Sequence, residues 1–128
     1  MTPEDRAMLM IYTSVKDRLK NMGVGLLEFL ELLKDWDVVP LTNSGRVVGG
    51  VLIKGNEVHI GYGVKPKASI RGHLRATLKE VLDKYGYATT VVEVDNLAGL
   101  RFCERLGFVK LSTQDGRIRL RCDRSDYV

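Results

Sequence analysis

Met8, Tyr12, Val15, Leu19 and Met22 recur at alternating intervals of four and three residues, the spacing that lines one face of an α-helix. Thr2 is placed to cap that helix, with Pro3 in its first turn, and Gly23 and Gly25 interrupt it. Leu26, Phe29, Leu30, Leu33 and Trp36 form a second apolar stripe, with Glu28, Glu31, Lys34 and Asp35 on the wet side. Residues 1–37 therefore predict two helices. After Pro40 the period changes. Asn43, Ser44 and Gly45 read as a turn, Val47 to Ile53 as a nearly continuous apolar strand, Gly55 and Asn56 as a second turn, and Val58 to Val64 as the hairpin partner. In that partner Val58, Ile60, Tyr62 and Val64 share one face, while His59, Gly61 and Gly63 leave the other nearly bare. Glycine weakens a strand, so this alternation predicts a bulge or a backbone left open to close approach.

Leu74, Leu78, Val81, Leu82 and Tyr85 predict a third helix from near Ile70 to Gly86, and Thr89 to Val94 is β-branched and strand-like. Asn96 can cap a fourth helix through Leu106, which Gly107 stops, and Phe108 to Leu111 returns as a strand. Asp115 and Gly116 mark a hairpin turn, after which Arg117, Arg119 and Arg121 alternate with Ile118, Leu120 and Cys122. Two helices, a three-stranded meander, helix, strand, helix and hairpin predict an α/β fold with a mixed sheet. At ~100 to 200 residues per domain, 128 residues predict a single domain, helical over 1–37 and carrying its sheet over 38–122.

Composition narrows the class. Apolar residues are 45% and charged residues 28%, which excludes a disordered chain. The greasiest stretch, Val24 to Leu33, is interrupted by Glu28 and Glu31 and is too short to cross a bilayer. Thr2, Pro3, Glu4 and Asp5 lack the basic and then apolar order of a secretory signal, so the expected address is cytoplasmic. Cys103 and Cys122 have neither metal-ligand nor CxxC spacing and read as free thiols, with no metal expected. A net charge of +4 favours anionic ligands without choosing among them. The stripe Arg117, Arg119 and Arg121 with nearby Arg124 admits nucleic acid, but reads first as the solvated face of an edge strand. Nucleic acid ranks last among the partners.

Two segments carry chemistry. The loop Lys65 to Gly72, with Lys67 and Arg71, delivers the chain to a helix N-terminus, where unpaired amides and the helix dipole favour an anion such as pyrophosphate. An ordinary solvated basic loop is the competing reading. The second segment is Asn96-Leu97-Ala98-Gly99-Leu100-Arg101-Phe102-Cys103-Glu104-Arg105-Leu106-Gly107-Phe108. Preceded by a strand ending at Val94 and Asp95, it resembles the C-terminal motif of the GCN5-related N-acetyltransferase (GNAT) superfamily. Val64-Lys65-Pro66 followed by Arg71-Gly72 looks like a reduced version of that family's coenzyme A segment, and the resemblance covers about Val38 to Cys122.

The resemblance implies a mixed central sheet with two splayed strands, flanked by about four helices, and acetyl-coenzyme A lying in the gap. It implies a pantetheine arm against the backbone of Gly63 and Val64, and a pyrophosphate near Arg71, Gly72 and His73, with Lys67 and Asn96 close to the coenzyme. The acceptor would be an amine of a small molecule or protein, set against the first helices and the terminal hairpin, where Tyr12, Phe29 and Trp36 stand either as lining or as core. Two positions depart from the family's pattern: Ser69 replaces its arginine, and Leu74 replaces a small residue where a leucine side chain could obstruct the phosphates. Cys103 stands where many members have a tyrosine acid, and its bland alternative is a small packed residue. His59 could serve as base near neutrality, and its bland alternative is a strand histidine without a role. Glu57 and Glu93 are weaker candidates. The reduced loop also resembles small phage-encoded acetyltransferase-like proteins, which implies a scaffold reading with a second copy or a virion protein as partner, in a host cytoplasm or a virion.

Overall fold

The computed structural model describes residues 1–62 and 71–124, with 71–73 described by backbone alone. Helix α1 spans Pro3–Asn21. It starts where the sequence places its cap: Thr2 Oγ1 accepts from Asp5 N at 3.0 Å while Asp5 Oδ2 accepts from Thr2 N at 3.2 Å, so two otherwise orphaned donors are satisfied reciprocally. Helix α2 is shorter than its stripe, Leu26–Leu32. Lys34 N donates to Glu31 O and Trp36 N to Leu33 O. These three-residue links tighten the chain out of helix, and Trp36 leaves the α2 stripe as the chain turns toward a strand.

Strands β1 (Asp37–Asn43), β2 (Arg46–Lys54) and β3 (Glu57–Tyr62) form the meander. Ser44 and Gly45 join the first two with φ of 54° and 80°, the doubly left-handed turn whose twist suits a two-residue hairpin. Helix α3 (Arg71–Tyr85) ends at Gly86, whose φ is 84° and whose amide donates to Leu82 O at 2.8 Å. Strand β4 (Tyr87–Glu93), helix α4 (Leu97–Arg105), and strands β5 (Val109–Gln114) and β6 (Arg117–Asp123) complete the described chain. The six strands make one sheet in the order β1-β2-β3-β4-β6-β5, parallel between β3 and β4 and antiparallel in the β1–β2, β4–β6 and β5–β6 pairs. The mixed α/β architecture matches the expectation.

The chain divides into two units, with the division running through β3 between His59 and Ile60. The first holds Met1–Lys54 and β3 from Ile60. Its core gathers Ile11, Phe29 and Leu52, with Met8, Tyr12 and Val38 among the half-buried groups packed on it. The second holds Gly55–His59 and the chain from Arg71. In it Ala88, Thr90 and Val92 of β4 stand in register with Cys122, Leu120 and Ile118 of β6, and all six are buried. Their outward neighbours are Tyr87, Thr89, Val91 and Glu93 on β4, and Asp123, Arg121, Arg119 and Arg117 on β6. Strict alternation of this kind is what a sheet covered on one face requires.

Candidate active site

In β3, Val58 is buried while Glu57 and His59 are half-buried on the opposite face. Residues two apart in a strand point the same way, and here they meet: His59 Nε2 lies 2.6 Å from Glu57 Oε2. With the imidazole donating from that nitrogen, the carboxylate fixes the ring's orientation. The sequence offered His59 and Glu57 as separate candidates. The signal that joins them is the Glu-x-His spacing on a strand.

The same strand begins a β3–α3–β4 unit. Among the described residues its parallel ladder has one registered pair, Glu57 opposite Thr89, with Thr89 N donating to Asn56 O at 2.8 Å. On its other edge β4 pairs with β6 at seven positions, from Tyr87 to Glu93.

Gly63, Val64 and Lys67 lie outside the described residues, as does Ser69. Arg71, Gly72 and His73 form the first turn of α3 by their backbone. Leu74, which stands where the family keeps a small residue, is 2% exposed and aligns with Leu78, Val81 and Leu82, also buried, along the apolar face of α3. The bare face read for β3 has a different cause at Gly61. A Cβ there would meet Ser14 Oγ at 3.1 Å and Ile11 Cγ2 at 3.2 Å, so the missing side chain makes room for α1.

Asn96 caps α4, its Oδ1 accepting from Gly99 N at 3.0 Å. The asparagine oxygen offered to the coenzyme is thus already used to satisfy a helix-end amide. Leu106 and Phe108, on either side of Gly107 with φ 106°, are buried and anchor the helix exit. Cys103 lies between, two turns into α4 and 8% exposed. Burial pushes its thiol up to about 11, and the charge of Glu104 adds to the effect. A protonated thiol of that strength is a reluctant proton donor.

Phe29 is core, 7% exposed, with its ring 5.5 Å from that of Tyr12. Trp36 is half-buried, with Lys54 Nζ 5.9 Å from its ring centre. Tyr12 instead lines a shallow depression of about 500 Å³ in the first unit, together with Lys16, Lys20 and Gly23. No group of three or more metal-ligating side chains gathers among the described residues, and no described helix is long and apolar enough to cross a membrane.

No family model and no curated protein sequence matches the chain. Solved structures do. A PaiA N-acetyltransferase from Thermoplasma acidophilum in complex with coenzyme A superposes with a TM-score of 0.70 at 14% identity, covering 96% of this chain and 95% of that one. A ribosomal-protein-alanine N-acetyltransferase from Brucella melitensis gives 0.70 at 15% identity over 96% of each chain. An acetyltransferase of the GNAT family from Elizabethkingia anophelis with acetyl-coenzyme A bound gives 0.63 at 10% identity, covering 89% and 88%. The chain has the fold of the GNAT acetyltransferases.

Proposed function

We propose that the chain is an acetyl-coenzyme A dependent N-acetyltransferase whose acceptor is a small-molecule or protein amine. Fold alone does not establish chemistry, so the reading must rest on a site. The observation that carries it is the Glu57–His59 pair at 2.6 Å, set on β3 beside the Glu57–Thr89 pairing with β4. An extended arm can bond to strand backbone that no neighbouring strand occupies. Gly63 and Val64 would hold the arm, and the amides near Arg71, Gly72 and His73 the phosphates, assisted by Lys67.

When bound, acetyl-coenzyme A supplies the acetyl group as a thioester. His59 takes a proton from the attacking amine, and Glu57 stabilises the imidazolium that results. The acid role offered to Cys103 is disfavoured by its surroundings. Moving a proton from a thiol at about 11 to an ordinary thiolate near ~8.5 is uphill by roughly 3 kcal/mol. The departing thiolate takes its proton from water in this reading, and Cys103 packs the helix against the sheet.

A thiol-release assay with acetyl-coenzyme A and a panel of polyamines, amino sugars and peptide amines tests the proposal. His59→Gln is expected to lower kcat by ~10² to 10⁴, the usual worth of a general base, whereas Cys103→Ala leaves it within about twofold. Binding at 100 times Kd stabilises a fold by ~2.7 kcal/mol, so the absence of any thermal shift at millimolar acetyl-coenzyme A would overturn the reading. That result would favour a scaffold with the same fold, a role suited to the structural duties of Asn96, Leu106 and Phe108.

A further inference from the structure

Strand β5 ends the sheet, and all six of its residues, Val109–Gln114, are exposed. Among the described residues it has a neighbour on one edge only, so the other presents unpaired backbone donors and acceptors. Beside it, β6 holds Arg117, Arg119 and Arg121 on its outward face. Residues two apart in a strand repeat every ~6.8 Å, so the guanidinium groups form a row with strand periodicity. Val109 and Ser112, which stand opposite Arg121 and Arg119, are short and uncharged.

The row is only partly neutralised. Arg121 is paired with Asp123 at 2.8 Å and lies over Tyr87, 4.0 Å from the ring centre. Arg117 is 63% exposed and meets Glu93 at 3.5 Å. Among the described residues no carboxylate pairs with Arg119, which is exposed.

We propose that the β5 edge takes up an extended acidic peptide segment as a seventh strand, with carboxylates at alternate positions facing the arginine row of β6. Only another strand matches both features at once. Its backbone completes the open ladder of β5, and its side chains on one face repeat at the interval of the arginines. A nucleic acid would use the charges and leave the ladder unpaired. A second copy docked edge to edge would bring Lys110 and the arginine row against their own kind, which disfavours it. This docking surface is independent of the proposed acetyl transfer.

The test uses the full chain and a labelled octapeptide of alternating Thr and Glu, read by fluorescence anisotropy at 0.1 M salt. A peptide of the same composition with four Thr followed by four Glu should bind at least tenfold more weakly. Arg119→Gln should weaken the alternating peptide at least tenfold while leaving the melting temperature unchanged. N-methylation of the Thr amides blocks one edge of the peptide and N-methylation of the Glu amides the other, so one series should abolish binding and the other retain it. Equal binding of the alternating and block peptides, or equal tolerance of both methylation series, overturns strand addition. Tighter binding of a thymidine octanucleotide, displaced from Arg119→Gln, reassigns the row to nucleic acid. Self-association that excludes the peptide reassigns the edge to a second copy, and either result ends the proposal.

Discussion

Gly49→Ala tests the packing that sets β3 in place. The β1–β2 ladder shifts register here: Leu41 pairs with Gly49 and Thr42 with Val47, leaving Val48 as the extra residue of a bulge. Residues Val48 to Leu52 of β2 are all buried, and a side chain added at Gly49 would point at the neighbouring backbone. A Cβ on Gly49 would stand 3.0 Å from Tyr62 Cα and 3.1 Å from the carbonyl carbon of Gly61, and would overlap the Gly61 oxygen outright. Relief requires the β3 backbone to retreat by about 1 Å, because the obstacle has no side-chain torsion to turn. Overpacking costs ~1 to 3 kcal/mol, and a lost ladder bond adds about 1. The expected penalty is therefore about 2 to 4 kcal/mol, which at a urea m-value of ~2 kcal/mol/M moves the midpoint down by about 1 to 2 M. Gly61→Ala is the control. Its new methyl group would meet side-chain atoms, Ser14 Oγ at 3.1 Å and Ile11 Cγ2 at 3.2 Å, which can shift, so it should cost only about 1 to 2 kcal/mol. A Gly49→Ala protein within 0.5 kcal/mol of the parent, or one more stable than Gly61→Ala, would refute the argument.

Cys103 predicts a pH dependence. Its thiol holds its proton from an ordinary 9.0 up to about 11 when folded, so over that window the native state binds more protons than the unfolded chain. Stability is therefore fully present below pH 9.0 and is lost as pH rises through about 11, at ~1.4 kcal/mol for each pH unit and about 3 kcal/mol in all. Urea unfolding at pH 8.5 and 10.5 should show the fall in the parent and a shallower one in Cys103→Ala; parallel slopes would exclude Cys103 as the cause. Asn96→Ala removes the bond to Gly99 N and should cost about 1 kcal/mol by the same measurement, and an unchanged acetyl-coenzyme A affinity in that variant would confine Asn96 to its capping role.

Features set by neighbours in sequence were legible in it, and features set by neighbours in space were not. Thr2 and Asn96 stand one residue before their helices and bond three residues ahead, so their roles follow from local order alone. Leu106 and Phe108 bracket a glycine with φ 106°, and the apolar pattern around that glycine marks the exit of α4. The end of α2 is different. Trp36 continues the stripe by spacing, but the links from Lys34 and Trp36 back to Glu31 and Leu33 draw the chain into β1, and no periodicity records that competition. The bulge at Val48 is equally silent, because Val47 to Ile53 is apolar throughout and a one-residue slip changes no residue class.

Gly61 shows why the candidate site was only half visible. A glycine states that no side chain is wanted, without stating what takes the space. On a strand two residues from His59, a coenzyme and a helix are equally good claimants, and both would leave the same residue in the sequence. Ile11 and Ser14 take it, so the glycine alternation of β3 carries no evidence for a ligand at that position. The case for chemistry passes to what a helix does not explain: a half-exposed carboxylate and imidazole held 2.6 Å apart. A merely structural pair at this exposure is worth ~1 kcal/mol or less, so His59→Gln should leave the melt almost unchanged. Loss of turnover in a variant that folds as well as the parent is therefore the result that separates a base from a surface ion pair.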